Sequence, residues 1–255
     1  MLSRLLEGVR FSFNIPSDPE YEIYGVERGL GVFIGSRSIV GEGAGIGMPL
    51  GLDHNKAIFP GKGAISRDTL SKRFELNMIS VKYLGHVKVE KLYKKTRSLL
   101  APIYLKSKTF RPIYTLLMIS RTMLGVKSRY EKIESKGHVD VMYEAGYNHI
   151  NVNVDASRLR CSKYLIANEL SGKLFTKLII EDEEIDDIPP WVEIRGEEAA
   201  LISPKLRLMI RIEKPPYCRL FAGREVLGRR LDWAGFSLIP SVRRFSYHVE
   251  FERLD

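Results

Sequence analysis

Four stretches of the chain alternate hydrophobic and polar residues with a period of two. They are 9–15 (VRFSFNI), 72–83 (KRFELNMISVKY), 205–213 (KLRLMIRIE) and 244–252 (RFSYHVEFE). A strand that buries one face against a core and leaves the other in water has this period. The chain shows neither a series of βαβ units nor a repeat of fixed length. We therefore expect a mainly β protein, built as an antiparallel β-sandwich or as twisted antiparallel sheets.

The pattern changes between residues 87 and 136. Apolar residues recur there at spacings of three and four, from Val89 to Ile103, and a second run, Ile113 to Val126, is apolar on most of a helical circumference. These spacings are typical of helices. We predict that 87–136 is a helical segment packed on one antiparallel β domain, formed by 1–86 and 137–255. The whole fold would then be α+β.

The positive charge of the chain is concentrated in the same segment. The whole chain has a formal charge of +9. Segment 87–136 holds thirteen basic and three acidic residues, a net charge of +10, which leaves −1 for the rest. Basic residues interleaved with tyrosines suit nucleic acid, and such contacts weaken as salt rises. The candidate contacts are Lys91, Lys94, Lys95, Arg97, Lys106, Lys108 and Arg111.

Two other interpretations of this segment are open. Its apolar faces suit packing on the sheet or at an oligomer interface through 110–126, with the lysines pointing outward. An amphipathic surface resting on anionic lipid is the other interpretation. The apolar run 113–126 is too short and too closely flanked by charge to cross a bilayer, so we predict no transmembrane segment.

The stretch 148–155 (NHINVNVD) has an unusual polar face for a strand. The chain has no glutamine and seven asparagines, of which three fall between 148 and 153. Few amides and many Lys, Arg and Glu residues indicate a heat-adapted protein. An ordinary wet face in such a protein should carry Lys, Glu and Arg. The concentration of amides therefore favours a binding surface, although any half-buried strand would alternate in the same way.

We predict a ligand site on the polar strand faces, provided that these strands lie side by side with that face concave. Amide, carboxylate, guanidinium and imidazole groups suit a polyhydroxylated ligand, because each hydroxyl both donates and accepts. A histidine near a carboxylate is also suited to general acid–base chemistry. Whether the protein is an enzyme stays open. The catalytic candidates are His149, Asp155, His248 and Glu250, and the ligand-binding candidates are Asn151, Asn153, Arg207, Arg211 and an exposed aromatic, Trp233 or Trp191.

Known cofactor and metal motifs do not fit the chain. The glycine-rich region 25–63 matches neither a P-loop nor a dinucleotide-binding fingerprint. The acidic run 181–187 (EDEEIDD) lacks the pattern of a calcium loop and is predicted to be a solvated loop. Cys161 and Cys218 have no metal-ligand spacing, so we predict no metal and no cofactor. The first residues do not resemble a secretory signal, and we predict a cytoplasmic protein.

Three classes of function follow. The first is a ligand-binding or carbohydrate-active β protein that uses the polar strand face, with a small molecule or saccharide as its partner. The second is a nucleic-acid-associated protein that uses segment 87–136. The third is an oligomeric structural protein that associates through 110–126.

Overall fold

The computed structural model describes residues 9–13, 29–35, 37–40, 45–53, 56–61, 64–67, 71–83, 130–146, 148–227 and 231–254. Most of these residues lie in strands. The strands are β1 (Val9–Phe13), β2 (Leu30–Ile34), β3 (Arg37–Ser38), β4 (Met48–Asp53), β5 (Lys56–Pro60), β6 (Ala64–Arg67), β7 (Ser71–Tyr83), β8 (Tyr130–Ala145), β9 (His149–Asp155), β10 (Lys163–Ser171), β11 (Lys177–Ile180), β12 (Glu183–Asp186), β13 (Val192–Ile194), β14 (Glu198–Ser203), β15 (Leu208–Glu213), β16 (Cys218–Leu227), β17 (Leu231–Pro240) and β18 (Arg244–Arg253).

These strands form two antiparallel sheets. The small sheet has three strands in the order β1-β2-β3. The large sheet has fifteen, in the order β12-β11-β14-β15-β18-β9-β8-β7-β5-β4-β10-β17-β16-β13, with β6 paired to β7. An isolated bridge joins Leu30 in β2 to Ile46, two residues before β4.

The large sheet curls so that strands far apart in its order meet across one core. Tyr247 in β18 donates a hydrogen bond from its hydroxyl to Oδ1 of Asn168 in β10, at 2.8 Å, although six places separate these strands. The hydroxyl of Tyr143 in β8 likewise lies 2.9 Å from the carbonyl oxygen of Ile46. Strand twist accumulates across a sheet, and long sheets curl or fold over as a result.

The alternating strands bury one face and leave the other partly accessible. In β9, Ile150, Val152 and Val154 are buried in the core cluster, and the residues between them are half-buried. In β18, Tyr247, Val249 and Phe251 enter the same cluster. Each large apolar side chain removed from water contributes about 1.5–3 kcal/mol. This burial fixes which face of each strand carries the polar groups.

The prediction of an α+β fold with an inserted helical segment is wrong. The described residues contain no helix, and residues 130–136, predicted as its end, begin β8 and pair with β7 from Tyr83↔Tyr130 onward. Local preference for helix is weak, and pairing with β7 satisfies the backbone of this stretch instead. Residues 87–129 lie outside the described residues.

The acidic run 181–187, predicted as a loop, contains β12 and the turn before it. Strand β12 lies at one end of the large sheet. No helix with the length and hydrophobicity of a bilayer span occurs in the described part of the chain.

Candidate functional site

The structure places the strands that carry the predicted polar faces next to one another. Strand β18 lies between β15 and β9, and β8 lies between β9 and β7. His248 pairs with Asn151 and Glu250 pairs with His149 across β18 and β9. The polar side chains of β9 and β18 lie on the outer face of the sheet, because their neighbours along each strand enter the core.

A depression of about 460 Å³ opens on this outer face across β7, β8, β9 and β18. Met142 supplies apolar surface; Val154 and Phe245 also line the depression, but their side chains pack toward the core. Two rows of paired residues cross the four strands here, Arg73–Met142–Asn153–Ser246 and Glu75–Asp140–Asp155–Arg244. The polar residues that line the depression are Arg73, Asp140, Asn153, Asp155, Arg244 and Ser246.

Asp140 is the most buried charged residue of the depression. Its Oδ2 accepts hydrogen bonds from Nη2 of Arg73 at 2.9 Å and from Nη2 of Arg158 at 3.0 Å. Arg158 also pairs through Nη1 with Glu75 at 2.9 Å. Oδ1 of Asp140 is buried and accepts no hydrogen bond from the residues described. The two arginines therefore neutralise the buried negative charge of Asp140. A buried charge without such a partner would destabilise the fold.

Asp155 is held as a carboxylate by its neighbours. Its Oδ2 accepts a hydrogen bond from Nε of Arg244 at 2.8 Å, and its Oδ1 accepts from the backbone N–H of Ser157 at 2.9 Å and from the Ser157 hydroxyl. Burial acts to raise the pKa of Asp155, but the Ser157 hydrogen bonds and Arg244 outweigh it, so the pKa lies below its ordinary value.

The two arginines that line the depression, and the adjacent Arg158, are more exposed than the aspartates that they pair with. The side chains of Arg73, Arg158 and Arg244 are 58%, 52% and 74% exposed, whereas those of Asp140 and Asp155 are 12% and 34% exposed. With Glu75 included, three positive charges face three negative ones. Asp140 and Asp155 are the less exposed members of this set, whereas Glu75 is 41% exposed.

Three of the predicted catalytic residues form a separate cluster further along the same face. The rings of His149 and His248 lie 5.9 Å apart, edge to face. Asn148 joins them to a carboxylate: its Nδ2 donates to Oε1 of Glu250 at 2.8 Å, and its Oδ1 lies 3.2 Å from Nδ1 of His149. Six residues of strand separate His149 from Asp155, about 20 Å. His149 and Asp155 therefore do not act on the same atom of a small ligand.

The remaining candidates lie away from the depression. Trp233 is only 5% exposed and cannot stack on a ligand. Arg207 is in a turn with a φ of 50°, before β15 rather than on its face. Arg211 lies on β15 near Glu198 and Glu252, at 3.8 and 3.7 Å. Asn151 lies on the correct face of β9 but does not line the depression.

Trp191 lines a different cavity, of about 260 Å³, with Phe221 and side chains of β4, β10, β16 and β17. The structure thus separates the half-buried aromatic residue from the polar face with which it was expected to act. The seven basic candidates from Lys91 to Arg111 lie outside the described residues. In the described part of the chain, no group of three or more His, Cys, Asp or Glu side chains is placed to hold a metal ion.

Sequence reasoning missed Asp140, Arg158 and Arg244. A usable signal was present in 137–145 (GHVDVMYEA), where His138, Asp140 and Met142 alternate with Val139, Val141 and Tyr143. That alternation marks the second half of β8 and puts Asp140 on the polar face. Because 87–136 was predicted to be helical, the first seven residues of β8, 130–136, were not recognised as part of this strand.

Comparison with known proteins does not assign a function to the site. No known family and no curated protein sequence matches the chain. Among solved structures, it is similar to the 4-alpha-glucanotransferase from Thermococcus litoralis, with 10% identity, a TM-score of 0.34 and coverage of 96% of this chain and 27% of that one. It is also similar to HI1317, with 4% identity, a TM-score of 0.38 and coverage of 95% and 100%. The chain spans about a quarter of the glucanotransferase's length, and neither TM-score reaches 0.5.

Proposed function

We propose that this protein binds a small polyhydroxylated ligand, a carbohydrate or a similar polyol, in the depression on β7, β8, β9 and β18. The observation that carries the proposal is the meeting of guanidinium, carboxylate, amide and hydroxyl groups on four adjacent strands around that depression. Ligand sites combine apolar surface with a few placed polar groups. Met142 supplies the apolar part.

Asn153 and Ser246 are the residues best placed to meet ligand hydroxyls. They are paired across β9 and β18, and both line the depression. Their side chains make no hydrogen bond to other described residues, in contrast to those of Asp140 and Asp155. An amide and a hydroxyl each donate and accept, which matches the two roles of a sugar hydroxyl. We propose binding without a reaction, because His149, His248 and Glu250 do not line the depression.

A stabilisation screen with two matched amide variants tests this function. Neutral and acidic sugars would be added to the wild type, Asn153→Ala and Asn151→Ala during urea unfolding. A ligand at a hundredfold excess over its Kd raises the free energy of unfolding by about 2.7 kcal/mol. We expect that gain in the wild type and in Asn151→Ala, and its loss in Asn153→Ala. Stabilisation of no variant by any sugar, or equal stabilisation of all three, would refute the proposal.

The other two functions stay predictions. Nucleic-acid binding through Lys91 to Arg111 and association through 110–126 both depend on residues outside those described. A protein that binds through the basic segment would lose affinity steeply as salt rises, and Asn153→Ala would leave that affinity unchanged.

We also propose that the protein is cytoplasmic and adapted to high temperature. Cys161 and Cys218 are free thiols, which agrees with a reducing compartment. The absence of glutamine and the scarcity of asparagine support adaptation to heat.

A further inference from the structure

We infer that the ligand carries an oxyanion as well as hydroxyls, so that the depression selects acidic sugars, with Arg244 as the residue that binds the oxyanion. This inference rests on the proposed binding of a polyhydroxylated ligand. The shared chemistry is a carboxylate or phosphate group attached to a sugar ring.

The charge distribution of the depression favours an anion at its surface. The carboxylate of Asp140 lies beneath the guanidinium groups of Arg73 and Arg158, which both contact its Oδ2. All three arginine side chains are more than half exposed, and the Asp140 side chain is 12% exposed. An approaching ligand therefore meets N–H donors first, and an oxyanion accepts from such donors more strongly than a neutral hydroxyl does.

Both terminal nitrogens of Arg244 remain for a ligand, whereas Arg73 already uses its Nη2 on Asp140. Arg244 contacts Asp155 through Nε, and its terminal nitrogens make no hydrogen bond to the described residues. Arg158 already uses both terminal nitrogens, on Glu75 and on Asp140. A guanidinium whose terminal N–H groups face solvent presents the fork that binds a carboxylate or phosphate in bidentate fashion.

Asp155 acts as a positioning residue for Arg244. Ser157 donates to Oδ1 of Asp155 through its backbone and its hydroxyl, which fixes the carboxylate. The fixed Oδ2 then holds Nε of Arg244 at 2.8 Å. The Arg244 side chain, on an exposed strand position, is thereby oriented before a ligand arrives, which lowers the entropic cost of binding.

The spacing on the sheet fits a ring with one acidic group. Ser246 lies two residues beyond Arg244 on the same face of β18, about 7 Å away along the strand. Asn153 lies opposite Ser246 on β9. An oxyanion bound by Arg244 would place the ring hydroxyls of one sugar unit over Asn153 and Ser246.

The test compares neutral and acidic sugars on three proteins at constant ionic strength. Kd would be measured calorimetrically for glucose, glucuronate and glucose 6-phosphate, for the corresponding galactose series, and for inorganic phosphate alone. The proteins are the wild type, Arg244→Gln and Arg253→Gln. Arg253 is an exposed arginine at the other end of β18, so its substitution removes the same charge away from the depression.

We expect at least one acidic sugar to bind the wild type about 10- to 100-fold more tightly than its neutral parent, the range for a hydrogen bond to a charged group. Arg244→Gln should abolish this preference, so that acidic and neutral sugars bind that variant with equal affinity, and Arg253→Gln should retain it. The series also shows whether carboxylate or phosphate is preferred.

Different results would overturn the two proposals. If neutral sugars bind the wild type as tightly as acidic ones, or if the preference survives in Arg244→Gln, the oxyanion inference is wrong and the binding function stands. If inorganic phosphate alone binds as tightly as glucose 6-phosphate, the site recognises a free anion, which also overturns the inference. If no sugar binds, the binding function itself fails.

Discussion

Gly47 adopts a backbone conformation that leaves no room for a side chain. Its φ is +75°, and a Cβ added to it would lie 2.6 Å from the hydroxyl oxygen of Tyr143. That hydroxyl lies within hydrogen-bonding distance of the carbonyl oxygens of Ile46 and Gly47, at 2.9 and 3.1 Å. Only glycine combines a left-handed backbone with this close approach of an aromatic ring.

Gly47→Ala should therefore destabilise the protein by about 2–4 kcal/mol, the sum of left-handed strain and overpacking. Gly35→Ala is the matched control, because Gly35 has a φ of +60° with nothing within 4 Å of the added Cβ. Gly35→Ala should lower the free energy of unfolding only by the left-handed backbone strain, about 1–2 kcal/mol. Urea unfolding of both variants measures the difference. Equal losses of stability would mean that Tyr143 moves aside without cost.

At the scale of elements, the hairpin of β11 and β12 ends the large sheet with an unfavourable turn sequence. Ile180 and Glu183 close a two-residue loop, and both loop residues, Glu181 and Asp182, have positive φ values, of 50° and 63°. Such loops favour Asn-Gly, because those residues accept a left-handed backbone at low cost. The acids of β12 protect an edge strand from pairing with other chains.

Replacing Glu181 with Asn and Asp182 with Gly should stabilise this hairpin by about 1 kcal/mol through relief of left-handed strain. Amide hydrogen exchange in β11 would slow, and the urea midpoint would rise if the hairpin unfolds with the rest. Glu183→Gln removes an acidic charge in β12 without altering the turn. An equal gain in that control would assign the effect to charge repulsion instead.

At the scale of the whole molecule, Asn168 holds the curled sheet closed. Its Oδ1 accepts hydrogen bonds from the backbone N–H of Gly47 at 3.0 Å and from the hydroxyl of Tyr247 at 2.8 Å. The residue is 1% exposed. Burial raises the pKa of Tyr247 well above its usual value, so that this hydroxyl remains a protonated donor.

Asn168→Ala should leave two buried donors without their acceptor, at a cost of roughly 1–3 kcal/mol for each. Tyr247→Phe removes one donor and leaves the contact with Gly47, so it should cost about 1 kcal/mol. Asn151→Ala, on the half-buried outer face, should change stability by about 0.5 kcal/mol or less. Guanidinium chloride unfolding measures all three. A loss in Asn168→Ala no greater than in Asn151→Ala would contradict a closing role.

The alternating sequence pattern predicts some features of the proposed binding site but not others. The alternation in β9 and β18 correctly indicated that Asn153 and Asp155 share a face opposite the core. It did not indicate which of the polar residues come together. Glu250 and Asp155 are equally plausible from the pattern, yet only Asp155 lines the depression. Pairing register decides this, and register depends on contacts between residues far apart in the chain.

What the sequence determined by itself is the local periodicity of the described strands and the face that each one buries. Side chains alternate strictly along a strand, so a run such as 244–252 already separates Tyr247 and Val249 from His248 and Glu250. The charge of +10 in 87–136 is likewise a property of the sequence alone.

Two features depend on the tertiary structure: the strand conformation of residues 130–136, which were predicted to be helical, and the place where the polar groups meet. Residues 130–136 form a strand because β7 offers them a partner, and a local propensity of a few tenths of a kcal/mol per residue does not outweigh a hydrogen-bonded ladder. Asp140 and Asp155 are neighbours because β8 pairs with β9, and Arg244 joins them because β18 pairs with β9 on its other side. These pairings are non-local, and their free energy comes from a core that exists only once the sheet has curled.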